Sequence, residues 1–211
     1  MTDVPTVFII DDHDDARASL SAMVQSMGVA CECYSTPEEF LSEYSPKRRG
    51  CVVTDMRMLG MSGLELLEKL EDMGSDLPVI LISAYSSIPI AVQAMQAGAV
   101  TFLEKTCSDQ ELWQAISDAL RQNELRRKKS AERESILQVI GRLSAEERKV
   151  MELISQGQAN KQVAHTLDIG LRTVEDRRRR VMQKLGVKSF AELMRVLVKA
   201  ELVEHPEKDM R

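Results

Sequence analysis

Four short apolar runs, each stopping at a charged or hydroxyl residue, constrain this chain more than any other feature. Val7-Phe8-Ile9-Ile10 stops at Asp11-Asp12, and Cys51-Val52-Val53-Thr54 stops at Asp55. Val79-Ile80-Leu81-Ile82 stops at Ser83, and Val100-Thr101-Phe102-Leu103 stops at Glu104-Lys105. A continuous apolar run of this length between turn residues reads as a strand covered on both faces. A fifth strand is read at Ala30–Tyr34. Helical spacing fills the intervals: Arg17, Leu20, Met23, Val24 and Met27 before a terminating Gly28, Leu64, Leu67 and Leu70 after Gly63, and Ile88 to Gly98. Thr36 caps another helix, with Pro37 in its first position. Five β-α repeats predict a five-stranded, doubly wound parallel sheet with helices on both faces. In such sheets the C-terminal strand ends face the ligand crevice, so Asp11, Asp12, Asp55, Ser83 and Lys105 are expected along one edge.

These residue types share a chemical logic. Three carboxylates crowd together only with a cation between them. Hard oxygen ligands with room for water suit Mg²⁺. A carboxylate beside such a cation and a lysine can attack a phosphoryl group, whose oxygens the cation and the ammonium neutralise.

The second half differs in charge and period. Residues 1–124 carry 20 acidic and 8 basic side chains, a net −12, whereas residues 125–211 carry 13 and 20, a net +7. The split suggests a cation as partner for the first half and nucleic acid for the second. A helix beginning near Ser108-Asp109 carries Leu112, Trp113, Ile116, Ala119 and Leu120. No Gly or Pro interrupts the polar segment 121–135 before Gly141, so one long helix of about 50 Å at roughly 1.5 Å per residue is the plain reading, and a linker broken or frayed in its unpacked, charged middle is the other. Ser144 and Glu147 form a capping box before Val150, Leu153 and Ile154. Asn160 is read as the cap of a short helix, Asp168-Ile169-Gly170 as a tight turn, and Leu171 to Leu185 and Ser189 to about Val203 as two further helices. That order is a helix-turn-helix arrangement.

With Val174 at 0° and about 100° per residue, Val181, Met182 and Leu185 form a core face, while Arg172, Glu175, Asp176, Arg179, Arg180 and Gln183 lie opposite. This is the face expected in the major groove, with Thr173 beside it and Lys161 and Lys188 as candidate phosphate contacts. Arg178 falls inside the apolar arc at about 40° and must snorkel or pair. His13 and His165 are isolated histidines, to which no metal role is assigned.

The motifs then become specific. Asp-Asp after the first strand, D-M-R-M-x-G-M-S-G after the third, S-A after the fourth and F-L-E-K after the fifth resemble the receiver domain of two-component response regulators. L-S-A-E-E-R-K-V-M-E-L-I-S-Q-G-Q-A-N-K-Q-V-A and R-T-V-E…V-M-Q-K-L resemble the LuxR/NarL-type helix-turn-helix. With I-P-I-A-V-Q-A-M-Q-A-G-A-V, the whole chain is similar to the FixJ subgroup. The resemblance implies a phosphoacceptor receiver over 1–122, a helical linker over 123–142, a DNA-binding domain over 143–203 and a flexible tail over 204–211. It implies Asp55 as phosphoacceptor, with Asp12 and Asp55 binding Mg²⁺ directly, Asp11 through water, and the Arg57 carbonyl as a backbone ligand. Ser83 would hydrogen-bond the phosphoryl oxygen, Phe102 would be the aromatic switch, and Lys105 would pair with the phosphoryl group. The implied partners are a sensor histidine kinase, promoter DNA and a second copy of the chain on phosphorylation, through the helix-four and strand-five face. Two residues depart from the family pattern. Thr106 follows the lysine where proline in a cis peptide is usual, and Leu59 replaces the loop proline.

Other features narrow the class. No apolar run approaches the roughly 18 residues of a membrane span, and the Met1-Thr-Asp-Val-Pro start has no basic segment of the signal-peptide kind. Cys31, Cys33, Cys51 and Cys107 show no paired metal spacing and read as free thiols of a cytoplasmic protein. A haloacid-type phosphatase would need a general acid two residues after the nucleophile, where this chain has Arg57. The expectation is a non-enzymatic regulator whose only chemistry is autodephosphorylation. The alternative is an atypical regulator that binds DNA independently of phosphorylation.

Overall fold

The computed structural model describes residues 4–84, 88–200 and 202. It contains two compact units, Met1–Arg127 and Lys128–Arg211. The first alternates β1 (Thr6–Ile10), α1 (Asp14–Ser26), β2 (Ala30–Tyr34), α2 (Pro37–Glu43), β3 (Gly50–Asp55), α3 (Gly63–Asp72), β4 (Val79–Ser83), α4 (Ile88–Gln96) and β5 (Thr101–Glu104), followed by α5 (Asp109–Gly141). All pairings are parallel and the order is β2-β1-β3-β4-β5. This is the doubly wound sheet that the alternating pattern predicts.

Every residue of β1, β3 and β4 is buried, which explains why they read as continuous apolar runs. Successive side chains point to opposite faces, so the strands feed two cores. Phe8, Ile10, Val52 and Leu81 pack with Phe40, Leu66 and Leu70 on one side. Val7, Ile9, Val53, Ile80 and Ile82 pack with Val24, Leu112 and Ile116 on the other. In α3 the buried residues are Gly63, Leu66, Leu67 and Leu70, whereas Leu64 is only partly buried. The inward face is thus centred on the 66/67/70 stripe rather than on the 64/67/70 spacing.

Two glycines permit close approaches. A Cβ on Gly63 would come within 2.3 Å of the Asp55 carbonyl oxygen, so its absence lets α3 start against the end of β3. Gly50 (φ +139°) opens β3, and a Cβ there would lie 1.7 Å from the Thr6 carbonyl oxygen. The Gly50 N–H donates to Asn123 Oδ1 at 3.0 Å, and Asn123 Nδ2 donates to the Asp76 carbonyl at 2.8 Å. Arg127 donates to the carbonyls of Pro46 and Arg48, both at 3.2 Å. The polar segment after Leu120 therefore begins as part of the sheet unit, in a helix unbroken to Gly141.

The second unit contains α6 (Ala145–Ser155), α7 (Asn160–Leu167), α8 (Leu171–Lys184) and α9 (Phe190–Lys199). Its core comprises Val150, Ile154, Val163, Val174, Val181, Leu193 and Leu197, among others. Ser144 and Glu147 form the expected capping box. Asn160 does not cap α7. Ala159 is the cap position, with its N–H bonded to Gln162 Oε1 at 2.8 Å. The Asn160 side chain is engaged elsewhere. A residue three places before an apolar position, as Asn160 is before Val163, is compatible with either use, and only the neighbouring helix decides. The proposed tail and Val203 lie outside the described residues.

Candidate functional site

The strand order reverses at β1, which pairs with β2 on one side and β3 on the other. Doubly wound sheets open their crevice at such a switch point. Asp11 follows β1 and Asp55 ends β3. The register sets Ile10 opposite Thr54, Asp55 opposite Ile82 and Ser83 opposite Glu104. Lys105 follows immediately, its N–H donating to the Ser83 carbonyl at 2.8 Å. Parallel register therefore aligns the polar strand ends that the sequence scatters over almost a hundred positions.

Asp11 and Asp55 are 1 % and 6 % exposed. The Lys105 ammonium donates to Asp11 Oδ2 and Asp55 Oδ2, each at 2.7 Å. One cation between two buried carboxylates compensates their mutual repulsion. Burial works to lower the Lys105 pKa. Its bonds to Asp11 and Asp55 outweigh burial and hold it above its ordinary value. Every peptide bond among the described residues is trans, Lys105–Thr106 included, so Lys105 reaches both carboxylates without the proline of the family pattern.

Asp12 Oδ2 accepts from the Leu59 N–H at 3.0 Å, and its Oδ1 lies 2.8 Å from His13 Nδ1. Burial would raise the Asp12 pKa, but the Leu59 N–H and His13 prevail and hold it below the usual value. The Arg57 N–H donates to Asp55 Oδ1 at 3.3 Å. An open pocket of about 710 Å³ is lined by His13, Asp14, Asp15, Ala16, Asp55, Arg57, Ser83, Ala84 and Lys105. Phe102 is half-buried and packs against the α3/α4-side core. It does not line the pocket.

Two residues gain a place here that their sequence positions do not suggest. Arg17 lies on the helical stripe of α1 yet donates to the Asp11 carbonyl at 2.6 Å and pairs with Asp14. His13 precedes α1, and one ligand atom from each of Asp11, Asp12, His13 and Asp55 lies within 4.8 Å of the others. The adjacency of His13 to the aspartate pair was the available signal. The three carboxylates offer the oxygen donors that a hard divalent cation requires.

The second unit carries a separate candidate surface. On α8, Val174 and Val181 are buried, while Arg172, Thr173, Glu175, Arg179, Arg180 and Gln183 are exposed and Asp176 is half-buried. Lys161 on α7 and Lys188 after α8 are exposed as well. Asp176 holds Arg179 at 2.7 Å, one turn along the helix. Arg178, inside the apolar arc, pairs as its position demands, donating to Asn160 Oδ1 at 2.8 Å. Lys184 lies 2.6 Å from the capping Glu147, whose pKa this contact and the Ser144 N–H lower.

Comparison with known proteins identifies both units. Residues 7–117 match the response regulator receiver domain, and residues 142–197 match the luxR family of bacterial regulatory proteins. The chain is 39 % identical to the transcriptional regulatory protein FixJ of Azorhizobium caulinodans over 92 % of each chain. Among solved structures, the response regulator StyR is similar with a TM-score of 0.76 and 38 % identity, covering 93 % of this chain and 99 % of that one. Full-length FixJ from B. japonicum is similar with a TM-score of 0.56 and 35 % identity, covering 95 % and 98 %.

Proposed function

Since the chain belongs to the response regulators that join a receiver to a LuxR-type DNA-binding domain, we propose that Asp55 is its phosphoacceptor and that phosphorylation promotes dimerisation and promoter binding. The observation that carries this reading is the Lys105 ammonium 2.7 Å from both Asp55 and Asp11 at the edge of an open pocket. A sensor histidine kinase is the donor. An Asp55 carboxylate oxygen attacks the phosphorus of the kinase's phosphohistidine, the O–P bond forms, and the N–P bond breaks with the electron pair returning to the imidazole.

Asp11, Asp12, Asp55 and the Arg57 carbonyl are the groups that would hold Mg²⁺, which supplies charge neutralisation for the transferring oxygens. Lys105 is already oriented towards Asp55 and exchanges that contact for a phosphoryl oxygen. Ser83, buried at the adjacent strand end, supplies a hydroxyl, and half-buried Phe102 is the aromatic side chain that follows its movement. The added charge biases an existing two-state element rather than creating a new one. Ile88, Val92 and Met95 on α4 are 83 %, 48 % and 50 % exposed, an apolar stripe suited to pairing two copies through the α4–β5 face.

On α8, Arg172, Thr173, Glu175, Asp176, Arg179, Arg180 and Gln183 are the base- and phosphate-reading set, with Lys161 and Lys188 on the flanking backbone. The protein acts in the cytoplasm, and no helix among the described residues is long and apolar enough to cross a membrane. Its own chemistry is limited to hydrolysing its aspartyl phosphate.

The test is light-scattering mass with and without beryllium fluoride and Mg²⁺, on wild type and Asp55→Ala. A dimer formed only by the wild type with the mimic supports the reading. A mass indifferent to the mimic in both proteins overturns phosphate-driven dimerisation and favours the phosphorylation-independent regulator.

A further inference from the structure

The acidic site contains a nitrogen donor besides its oxygens. His13 Nδ1 lies 2.8 Å from Asp12 Oδ1 and 3.5 Å from Asp11 Oδ1. The ring is 71 % exposed at the pocket mouth, free of the close packing that would lock it in place. Its backbone is fixed by the His13 N–H donating to Asp11 Oδ1 at 2.9 Å. The His13 side chain therefore departs from a point anchored to the cluster while its ring keeps freedom to adjust. Donor atoms of Asp11, Asp12, His13 and Asp55 all fall within 4.8 Å of one another. Ligands about 2.1 Å from a shared ion sit up to roughly 4.2 Å apart across it, so small side-chain rotations bring all four within reach of one ion.

Resting on the proposed divalent-cation site, we infer that His13 is a further ligand at this site. It makes the site take a first-row transition ion of the Co²⁺ or Zn²⁺ class in competition with Mg²⁺. The reason lies in ligand preference. Mg²⁺ takes oxygen and keeps its waters, and gains nothing from an imidazole. Imidazole nitrogen suits the later divalent ions, whose affinity for mixed nitrogen and oxygen sites rises along the series. The same three carboxylates thus serve either ion, and the histidine separates them. A transition ion bound there draws on the Asp55 carboxylate needed for phosphoryl transfer, which makes metal identity a means of regulating the receiver.

The experiment titrates full-length wild type, His13→Ala and Asp12→Asn calorimetrically with Mg²⁺ and with Co²⁺, reading the visible Co²⁺ spectrum in parallel. The expected result is a Co²⁺ affinity at least about tenfold weaker in His13→Ala, Mg²⁺ affinity within about twofold of wild type, and displacement of Co²⁺ from the wild type by excess Mg²⁺. Asp12→Asn weakens both ions. Equal Co²⁺ affinity in wild type and His13→Ala overturns the inference. So does an equal loss of Mg²⁺ and Co²⁺ in His13→Ala, which makes the histidine a support for Asp12 rather than a ligand. A Co²⁺ signal that Mg²⁺ cannot displace, or one with thiolate charge-transfer bands, places the ion at another site and overturns it too. Wild type that binds no Mg²⁺ at all instead removes the divalent-cation reading beneath it.

Discussion

Arg178 donates to Asn160 across the α7–α8 junction at 2.8 Å, so one member of a four-arginine run holds two helices together while Arg179 and Arg180 face outward. A bond to a charged group is worth about 1.5–3 kcal/mol, and removing one partner leaves the other without it. Arg178→Ala is expected to destabilise the DNA-binding unit by about 1–2 kcal/mol in urea unfolding. Asn160→Ala should match it, and the double variant should cost little more than either alone. A fully additive double variant would disprove the coupling.

Arg172 and Arg180 are exposed on the same helix. Replacing either with alanine should leave the unfolding midpoint unchanged and weaken promoter binding about tenfold. For a phosphate contact, the slope of log affinity against log salt should fall by about 1. Fluorescence anisotropy at several salt concentrations measures both quantities, and an unaltered affinity would remove these arginines from the interface.

Lys105 holds the charge balance of Asp11 and Asp55. Lys105→Ala leaves two neighbouring buried carboxylates uncompensated, an imbalance that costs several kcal/mol when nothing relaxes. The variant should unfold about 2 kcal/mol more easily than wild type in EDTA at pH 7, and millimolar Mg²⁺ should recover most of that difference. Acetyl-phosphate labelling of Asp55 should fall sharply in the same variant even when Mg²⁺ restores its stability. Undiminished labelling would show that the lysine is structural only.

The Glu147–Lys184 pair gives the DNA-binding unit a pH dependence whose sign is determined. The Glu147 pKa is lowered from 4.5, chiefly by Lys184 and the Ser144 N–H. Its contribution is therefore complete above pH 4.5 and is lost as pH falls through the lower folded value. Glu147→Gln should be about 0.5–1 kcal/mol less stable at pH 7, and the two unfolding curves should converge towards pH 3. A difference that persists unchanged at pH 3 would assign the effect to the backbone cap alone.

Asn123 satisfies the buried N–H of Gly50 and the Asp76 carbonyl together. Asn123→Asp keeps the acceptor and loses the donor, whereas Asn123→Ala loses both. The expected costs are about 1 and 2–3 kcal/mol respectively, read by urea unfolding of the receiver unit. Wild-type stability in Asn123→Ala would mean that water replaces both bonds.

The contrast between Asp55 and Asn123 shows what the sequence makes legible. Asp55 interrupts an apolar run buried on both faces, so its place at a strand end follows from the pattern, and the parallel order then brings Asp11 and Lys105 to it. Asn123 sits in a polar stretch whose period carries no apolar signal, and a buried amide cannot be told from a solvated one until Gly50 is seen to need a partner. Asn160 was legible as a helix-start residue but not in its partner, because Arg178 lies eighteen positions away on another helix. His13 was legible only through its adjacency to Asp11 and Asp12, and Arg17 owes its contact with the Asp11 carbonyl to the way α1 starts beside β1. The face of α8 was legible throughout, because a 3.6-residue period sorts exposed from buried directly.

The strand order has a consequence for the order of synthesis. The acidic pocket draws on residues from His13 to Lys105, and Lys105 comes only after β5, the last strand made. The second compact unit begins at Lys128, and domains generally fold as units from the N-terminus during translation. A ribosome-bound chain that has exposed its first unit already has its input site assembled while its reading helices are still unmade. Each molecule therefore has a folded receiver unit before its luxR-type unit is complete.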